Sequence, residues 1–292
     1  SSHALPLVVM AVVVIVWGLG PPTTKLVTAP PLIGTFVRFG ISSPLLIVVL
    51  AARRRVLSRK VFIAPALPGL SFGINLVFVF ATLQEATVSV LSTVVAMQPA
   101  LLLVLAGPLF HEYPTGRQFT FTLAGVLGAV GVILGAGSEI RSSWLGVGLA
   151  ALSLVTFTLY FVLTRLARSD NEVDPIEWMA GINIWAFLST IIPILLLADR
   201  SDWAQFGGND WIWIVIVAFV TGVFGHVLMT WLHGHLEAAR SSLYILTMHL
   251  VAVGLAWWIH DESITWLQMI SGGVVLLCVA LVVTAPDRRE VR

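Results

Sequence analysis

Charge is what this sequence lacks. Only 11% of its 292 residues are charged, against roughly a quarter in an ordinary soluble domain, and the mean hydropathy is +0.97. Too few polar side chains exist to coat a water-soluble globule of this size, which excludes a soluble enzyme or a nucleic-acid binder. Lys and Arg number 16 and Asp and Glu 15, so the net charge of +1 marks no polyanionic partner. Cysteine is almost absent: Cys278 alone can form no internal disulfide and cannot hold a structural zinc. Carboxylates are missing from the middle of every apolar run, since Glu85, Glu112, Glu177, Glu237 and Glu262 fall in loops or within a turn or two of a run's end. Proton pumps commonly rely on deep Asp or Glu, so a carboxylate-driven antiporter is disfavoured. The first run, Leu5 to Leu19, has neither a basic leader nor a small-residue cleavage site and reads as a retained span.

What is present is hydrophobic sequence, 58% of the chain. Cutting at charges, Gly/Pro clusters and Trp-marked ends leaves ten segments, residues 5–26, 32–52, 63–82, 87–110, 117–137, 144–167, 176–198, 210–231, 238–259 and 264–284. The expected fold is an all-α membrane protein of ten transmembrane helices with no separate soluble domain. With the N-terminus inside, cytoplasmic segments hold Arg53, Arg54, Arg55, Arg59, Lys60, Arg117, Arg165, Arg168, Arg240, Arg288, Arg289 and Arg292. The outer loops hold only Lys25, Arg141 and Arg200. The positive-inside rule then places both termini in the cytoplasm. Arg38 remains, in the second segment about two turns from its outer end, where a long side chain can snorkel to the interface.

An offset of 150 residues brings Phe110-His111-Glu112 alongside Ile259-His260-Asp261-Glu262, pairs Thr115 with Thr265 and Gln118 with Gln268, and matches Ala86–Ser92 to Leu236–Ser242. Two five-helix halves are predicted, residues 1–140 and 141–292. Five is odd, so the second half enters the membrane from the opposite side. Inverted repeats of this kind characterise transporters, whose substrate site lies near the midplane between the halves.

Ten short-looped spans duplicated five plus five, Trp17-Gly18 in the first span, and a Pro99, Glu112, Gly125 pattern across spans four and five resemble the EamA type of the drug/metabolite transporter superfamily. Within it the chain is most similar to the YddG-type aromatic amino acid exporters of bacterial inner membranes. The resemblance implies a multi-pass inner-membrane exporter of aromatic and other neutral amino acids that works by alternating access. The second copy departs from the pattern: His249 stands where the first has Pro99, and Phe157 and Tyr160 stand where Trp-Gly would be expected. Two equivalent half-sites are therefore not expected.

The residues supply a path through the membrane. His226 and His249 fall near the middle of their spans, as proton carriers or as neutral hydrogen-bonding groups between helices. His226 shares a helical face with Gly222, Met229 and His233. Ser71, Asn75, Phe78 and Thr82 form a polar-aromatic stripe, and Ser153, Thr156, Phe157, Tyr160 and Thr164 form another; such stripes should face protein or a cavity rather than lipid. Span nine offers Tyr244, Met248 and His249. Trp17 precedes Gly18, Gly20 and Pro21-Pro22, beside a backbone able to bend, whereas Trp185 reads as a core residue. Gln98-Pro99 frees a carbonyl one turn earlier for a substrate ammonium, or simply kinks the helix. The candidate substrate-binding set is thus Trp17, Asn75, Phe78, Gln98, Phe157, Tyr160, His226, Tyr244, Met248 and His249.

No cofactor is implied. His233, His235 and Glu237 do not share one helical face and are not expected to hold a metal. The partners are a small-molecule substrate, an amino acid or related metabolite, and membrane lipid; nucleic acid is excluded, and nothing demands more than a monomer. Without a buried Asp or Arg for each substrate charge, affinity is expected to be weak and selectivity broad. Rival readings are a lipophilic drug or metabolite exporter, for which no buried carboxylate waits to pair a cation, and an intramembrane hydrolase, for which no nucleophile can be set beside His226 or His249. The predicted topology is checked with C-terminal fusions: green fluorescent protein should fluoresce and alkaline phosphatase should be inactive, and the reverse pattern would refute cytoplasmic termini.

Overall fold

A computed structural model describes residues 4–98, 101, 105, 116–135, 143–168, 174–232 and 238–283. Regular structure among the described residues is helical throughout: α1 (Ala4–Gly18), α2 (Gly20–Lys25), α3 (Pro31–Ala52), α4 (Arg59–Ile63), α5 (Ala66–Glu85), α6 (Val88–Val95), α7 (Gly116–Gly135), α8 (Trp144–Arg168), α9 (Pro175–Leu197), α10 (Arg200–Ala204), α11 (Asp210–Ile216), a π-helical segment (Val217–Phe224), α12 (Gly225–Leu232), α13 (Ala238–His260) and α14 (Trp266–Val283). Each of the ten segments expected from the sequence contains helix. Among the described residues, six stretches are long and apolar enough to cross a membrane: Leu5–Lys25, Pro31–Ala52, Val61–Glu85, Trp144–Ala167, Pro175–Leu197 and Asp210–Met229.

The break between α1 and α2 falls where the sequence anticipates a bend. Pro21 and Pro22 have no N–H to return to the carbonyls of Trp17 and Gly18, so the helix cannot run through them unchanged. In the first turn of a new helix the missing donors cost nothing, and α2 starts there.

Helix α5 is the hub of the bundle, packing most extensively against α8 and α9, while α3 packs on α9 and α5. Gly69 and Gly73 let α9 come close. A Cβ on Gly69 would lie 2.6 Å from Trp185 Cβ and 2.8 Å from Ile182 O, and one on Gly73 would lie 2.6 Å from Ala186 O and collide with Ser189 Oγ. Small residues spaced four apart are how helices approach without a hydrophobic driving force between them. On the other side of α5 the two polar stripes meet each other: Asn75 Nδ2 donates to Ser153 O at 2.8 Å and to Ser153 Oγ at 3.1 Å, and Ser71 Oγ donates to Thr156 O at 2.9 Å. The stripes therefore face protein. Trp185 is tied down in the same way, its Nε1 donating to Phe62 O at 2.7 Å.

The remaining helices complete the bundle at its sides. Helix α1 lies against α12 and α13, α6 against α8 and α13, and α7 pairs with α14. Connections are fixed by capping. Asp174 accepts from Ile176 N at the start of α9, and Asp199 caps α10, where the Ser201 hydroxyl and the Ser201 and Asp202 amides hold its carboxyl below the usual carboxylate range. Arg55 Nη1 donates to Glu177 Oε1 at 3.0 Å, which ties the loop after α3 to the start of α9.

Replacing Gly73 with Leu should force α5 and α9 apart at a cost of about 1–3 kcal/mol or more. The check is the temperature at which the detergent-solubilised protein loses its monodisperse size-exclusion peak; an unchanged temperature would mean that the close approach is not needed.

Candidate functional site

Arg38 sits on the face of α3 turned toward α5 and the π-helical segment, and it is 5% exposed. Its guanidinium carbon lies 5.2 Å from the ring centre of Phe39 and 6.0 Å from that of Phe72. Gly222 supplies the room on the opposite side, since a Cβ there would be 3.4 Å from Arg38 Nη2. The position of Arg38 allows snorkelling to the interface, but the side chain does not take that route. Neighbouring helices enclose it, and the faces of two rings offset part of the desolvation cost by cation–π attraction. That offset is incomplete. Nε and Nη1 are buried without a hydrogen-bond partner, and the ion pairs among the described residues lie elsewhere, between Lys25 and Glu262 and between Arg55 and Asp174 with Glu177. The premise behind broad, weak selectivity, that no buried Arg is available, falls with it.

A continuous run of rings passes beside this charge at Phe72. Trp17 of α1 lies 5.0 Å from the His226 ring of α12, His226 lies 5.9 Å from Phe72 of α5, and Phe72 lies 4.9 Å from Tyr160 of α8. Phe157 continues the run, stacked at 6.1 Å on Tyr160, and Phe39 branches from it at 5.7 Å from Phe72. His226 is oriented by the π-helical segment: its Nδ1 is 3.2 Å from Thr221 O, and because a carbonyl can only accept, Nδ1 carries the hydrogen. Trp17 reaches the cluster by lying against Gly225, where a Cβ would be 2.6 Å from its Nε1. That Nε1 is also buried without a partner.

Of the residues expected from sequence, Trp17, Phe157, Tyr160 and His226 come together here. Asn75 lies on the same helix as Phe72, with its amide nitrogen directed to α8. Phe78 is half-buried farther along α5. Gln98 follows the turn that ends α6, its Nε2 buried without a partner, next to Met97, which packs with Ala129 and Val275. Met248 is half-buried and His249 buried on α13, where the Met248 carbonyl lies 3.0 Å from the Cβ position of Gly18. Tyr244 belongs to α13, but its side chain lies outside the described residues, as do Pro99, His111, Glu112, Thr115, Arg141, His233, His235 and Glu237. Sequence reasoning missed Arg38, Phe39 and Phe72. Arg38 carried a signal, as the lone ionised side chain well inside a span; Phe39 and Phe72 carried none that set them apart from the other aromatic residues.

Two further features frame the site. An apolar groove of about 350 Å³ between α1 and α13 is lined by Leu7, Met10, Ala11, Val14, Ile15 and Thr247; its polarity suits a lipid chain and it contains none of the ring cluster. At the Lys25 end of the bundle, Lys25 Nζ donates to Glu262 Oε1 at 2.7 Å and to Ala86 O at 3.0 Å. The Glu262 carboxylate also accepts from Val88 N at 3.0 and 3.1 Å, capping α6, and His260 Nε2 lies 2.8 Å from Pro22 O. The N-terminal and C-terminal halves of the chain are thereby clamped together at that end.

Comparison with known proteins follows the halves of the chain. Residues 4–134 and, separately, residues 144–284 match the EamA-like transporter family. A solved crystal structure covers 99% of this chain and is itself covered to 99%, with a TM-score of 0.65 at 20% sequence identity, a likeness of fold. A curated relative is the heme-binding subunit of a protein-methionine-sulfoxide reductase from Ralstonia nicotianae, 28% identical over 120 residues. That match spans 37% of this chain and about half, 54%, of the relative.

Substituting Glu262 with Ala removes a charge-assisted cap worth about 1.5–3 kcal/mol. The backbone amide of Val88 should then exchange with deuterium roughly tenfold faster or more, with no matching change at the α5–α9 contact; equal rates in parent and variant would refute the clamp.

Proposed function

This chain belongs to the EamA-like transporter family, and from that footing we propose that it exports amino acids across a bacterial inner membrane, aromatic and other neutral ones, by alternating access between its two matched segments. The observation that carries the reading is the ring run Trp17, His226, Phe72, Tyr160 and Phe157. Helices α1 and α5 of one matched segment and α8 and α12 of the other build it, so the run crosses from one segment to the other. An aromatic side chain stacks on such a wall, and the boundary between two segments that move against each other is where a carrier holds its cargo.

The topology that goes with this reading is ten spans in two inverted halves, residues 1–140 and 141–292, with both termini in the cytoplasm. Motion has two natural seats. One is the break between α1 and α2 beside Trp17; the other is the π-helical segment that carries Gly222 and positions His226, since π turns are alternative registers of an α-helix and cluster at functional sites. Gln98, with an unsatisfied amide beside Pro99, and Met248 with His249 on α13 extend the path. In this reading His226 serves as a packing and hydrogen-bonding group held to Thr221, and the carrier is a facilitator whose flux runs downhill.

The rival readings lose ground at the same place. A cationic drug would meet the like charge of Arg38, and a hydrolase still lacks a nucleophile placed against a base. Heme binding, named for the Ralstonia protein, is not part of the proposal, because that match spans only 37% of this chain at 28% identity.

Flux in proteoliposomes tests this. Labelled phenylalanine and tryptophan should equilibrate fastest, threonine more slowly and a cationic drug not at all, and an imposed pH gradient should leave the end point unchanged. Uphill accumulation that His226→Ala abolishes would replace the facilitator with a proton-coupled carrier.

A further inference from the structure

Arg38 is an arginine that the described helices bury and leave without a counter-charge. Guanidinium stays protonated under any condition a cell offers, so the protein cannot escape the cost of the buried charge by neutralising it. Two phenylalanine faces and the gap at Gly222 accommodate the group, yet Nε and Nη1 point at no acceptor. An ionised side chain inside a membrane bundle marks a substrate or ion path, and the economical partner for this one is an anion brought by the cargo.

We propose that Arg38 is the carboxylate anchor of the transport site: the guanidinium takes the substrate's carboxylate in a charge-assisted, two-pronged hydrogen bond while the substrate's apolar body lies along the ring run. The proposal rests on the transporter reading and deepens it, by making a carboxylate an obligatory feature of the cargo. Geometry selects the ligand class. Nε and Nη2 share one edge of the planar guanidinium and match the two oxygens of a carboxylate; Nε is buried without a partner, Nη2 borders the gap at Gly222, and the nearby rings match an apolar or aromatic group a few ångströms away. Phosphate esters fit less well, since a dianion calls for a second cation and no other Lys or Arg among the described residues lies over these rings. Gly222 lies on the π-helical segment, so a change of register there would move the wall that closes over the guanidinium.

Competition against counterflow of labelled phenylalanine in proteoliposomes is the test. Unlabelled phenylalanine and 3-phenylpropionate, which keep the carboxylate, should compete; phenethylamine and phenylalaninamide, which lack it, should not. Arg38→Gln should raise the apparent KM for phenylalanine by roughly tenfold or more, and Arg38→Lys, which keeps the charge but not the fork, should fall between the two. Equal competition by acid and amine, or an unchanged KM in a correctly folded Arg38→Gln protein, overturns the proposal. If Arg38→Gln does not fold, the competitor series on the parent decides alone. Should the parent carry no amino acid at all, the export reading fails separately, and Arg38 is judged by direct binding of labelled 3-phenylpropionate to purified parent and Arg38→Gln. Saturable binding lost in the variant supports the anchor; no binding to the parent refutes it.

Discussion

A permanent positive charge held inside the helical bundle, with no carboxylate among the described residues paired to it, is the constraint on which the site depends. Placing Arg38 there is unfavourable unless the surroundings compensate, and the local structure can be read as that compensation. Phe39 and Phe72 present their faces to the guanidinium, Gly222 gives it space, and the helix that carries Gly222 departs from α-helical geometry at that point. What remains uncompensated is the hydrogen-bonding capacity of Nε and Nη1. A fold that only had to be stable would have replaced this arginine with leucine.

The same economy explains why the other polar groups are used up. In hydrocarbon a hydroxyl or amide must find its partner inside the protein, and those of α5, α8 and α9 find one another across helix contacts. Asn75 with Ser153, Ser71 with Thr156 and Ser42 with Asn183 are cross-links of the bundle, and the glycines at 69 and 73 set how near the backbones come. The buried groups left unsatisfied among the described residues include Arg38, the Trp17 indole nitrogen, the Gln98 and Gln268 amides and the hydroxyls of Ser43, Ser92 and Thr164, and of these Arg38 alone carries a charge.

Distance from the site does not make the Lys25 clamp incidental. Glu262 neutralises Lys25, caps α6 and belongs to the segment after α13, so one carboxylate holds three parts of the chain. The bond joins the two segments that match the EamA-like family, at one end of the bundle and not through its middle.

Sequence by itself determined the class of the molecule. Low charge, long apolar runs and Trp-marked ends follow from the solvent, so they are legible residue by residue, as is the break at Gly18 to Pro22, which is a local consequence of missing N–H groups. The histidine at 226 and the tyrosine at 160 were also visible, because a polar or aromatic residue within a span is rare enough to notice. Which polar residues cancel each other was not visible: whether a stripe on α5 meets a cavity or the stripe on α8 depends on how the helices rotate and pack. Arg38 shows the limit most plainly. Its position in the second span was readable, but its fate, reaching water or staying enclosed, turned on α5 and the π-helical segment closing around it, and that is decided by tertiary contact alone.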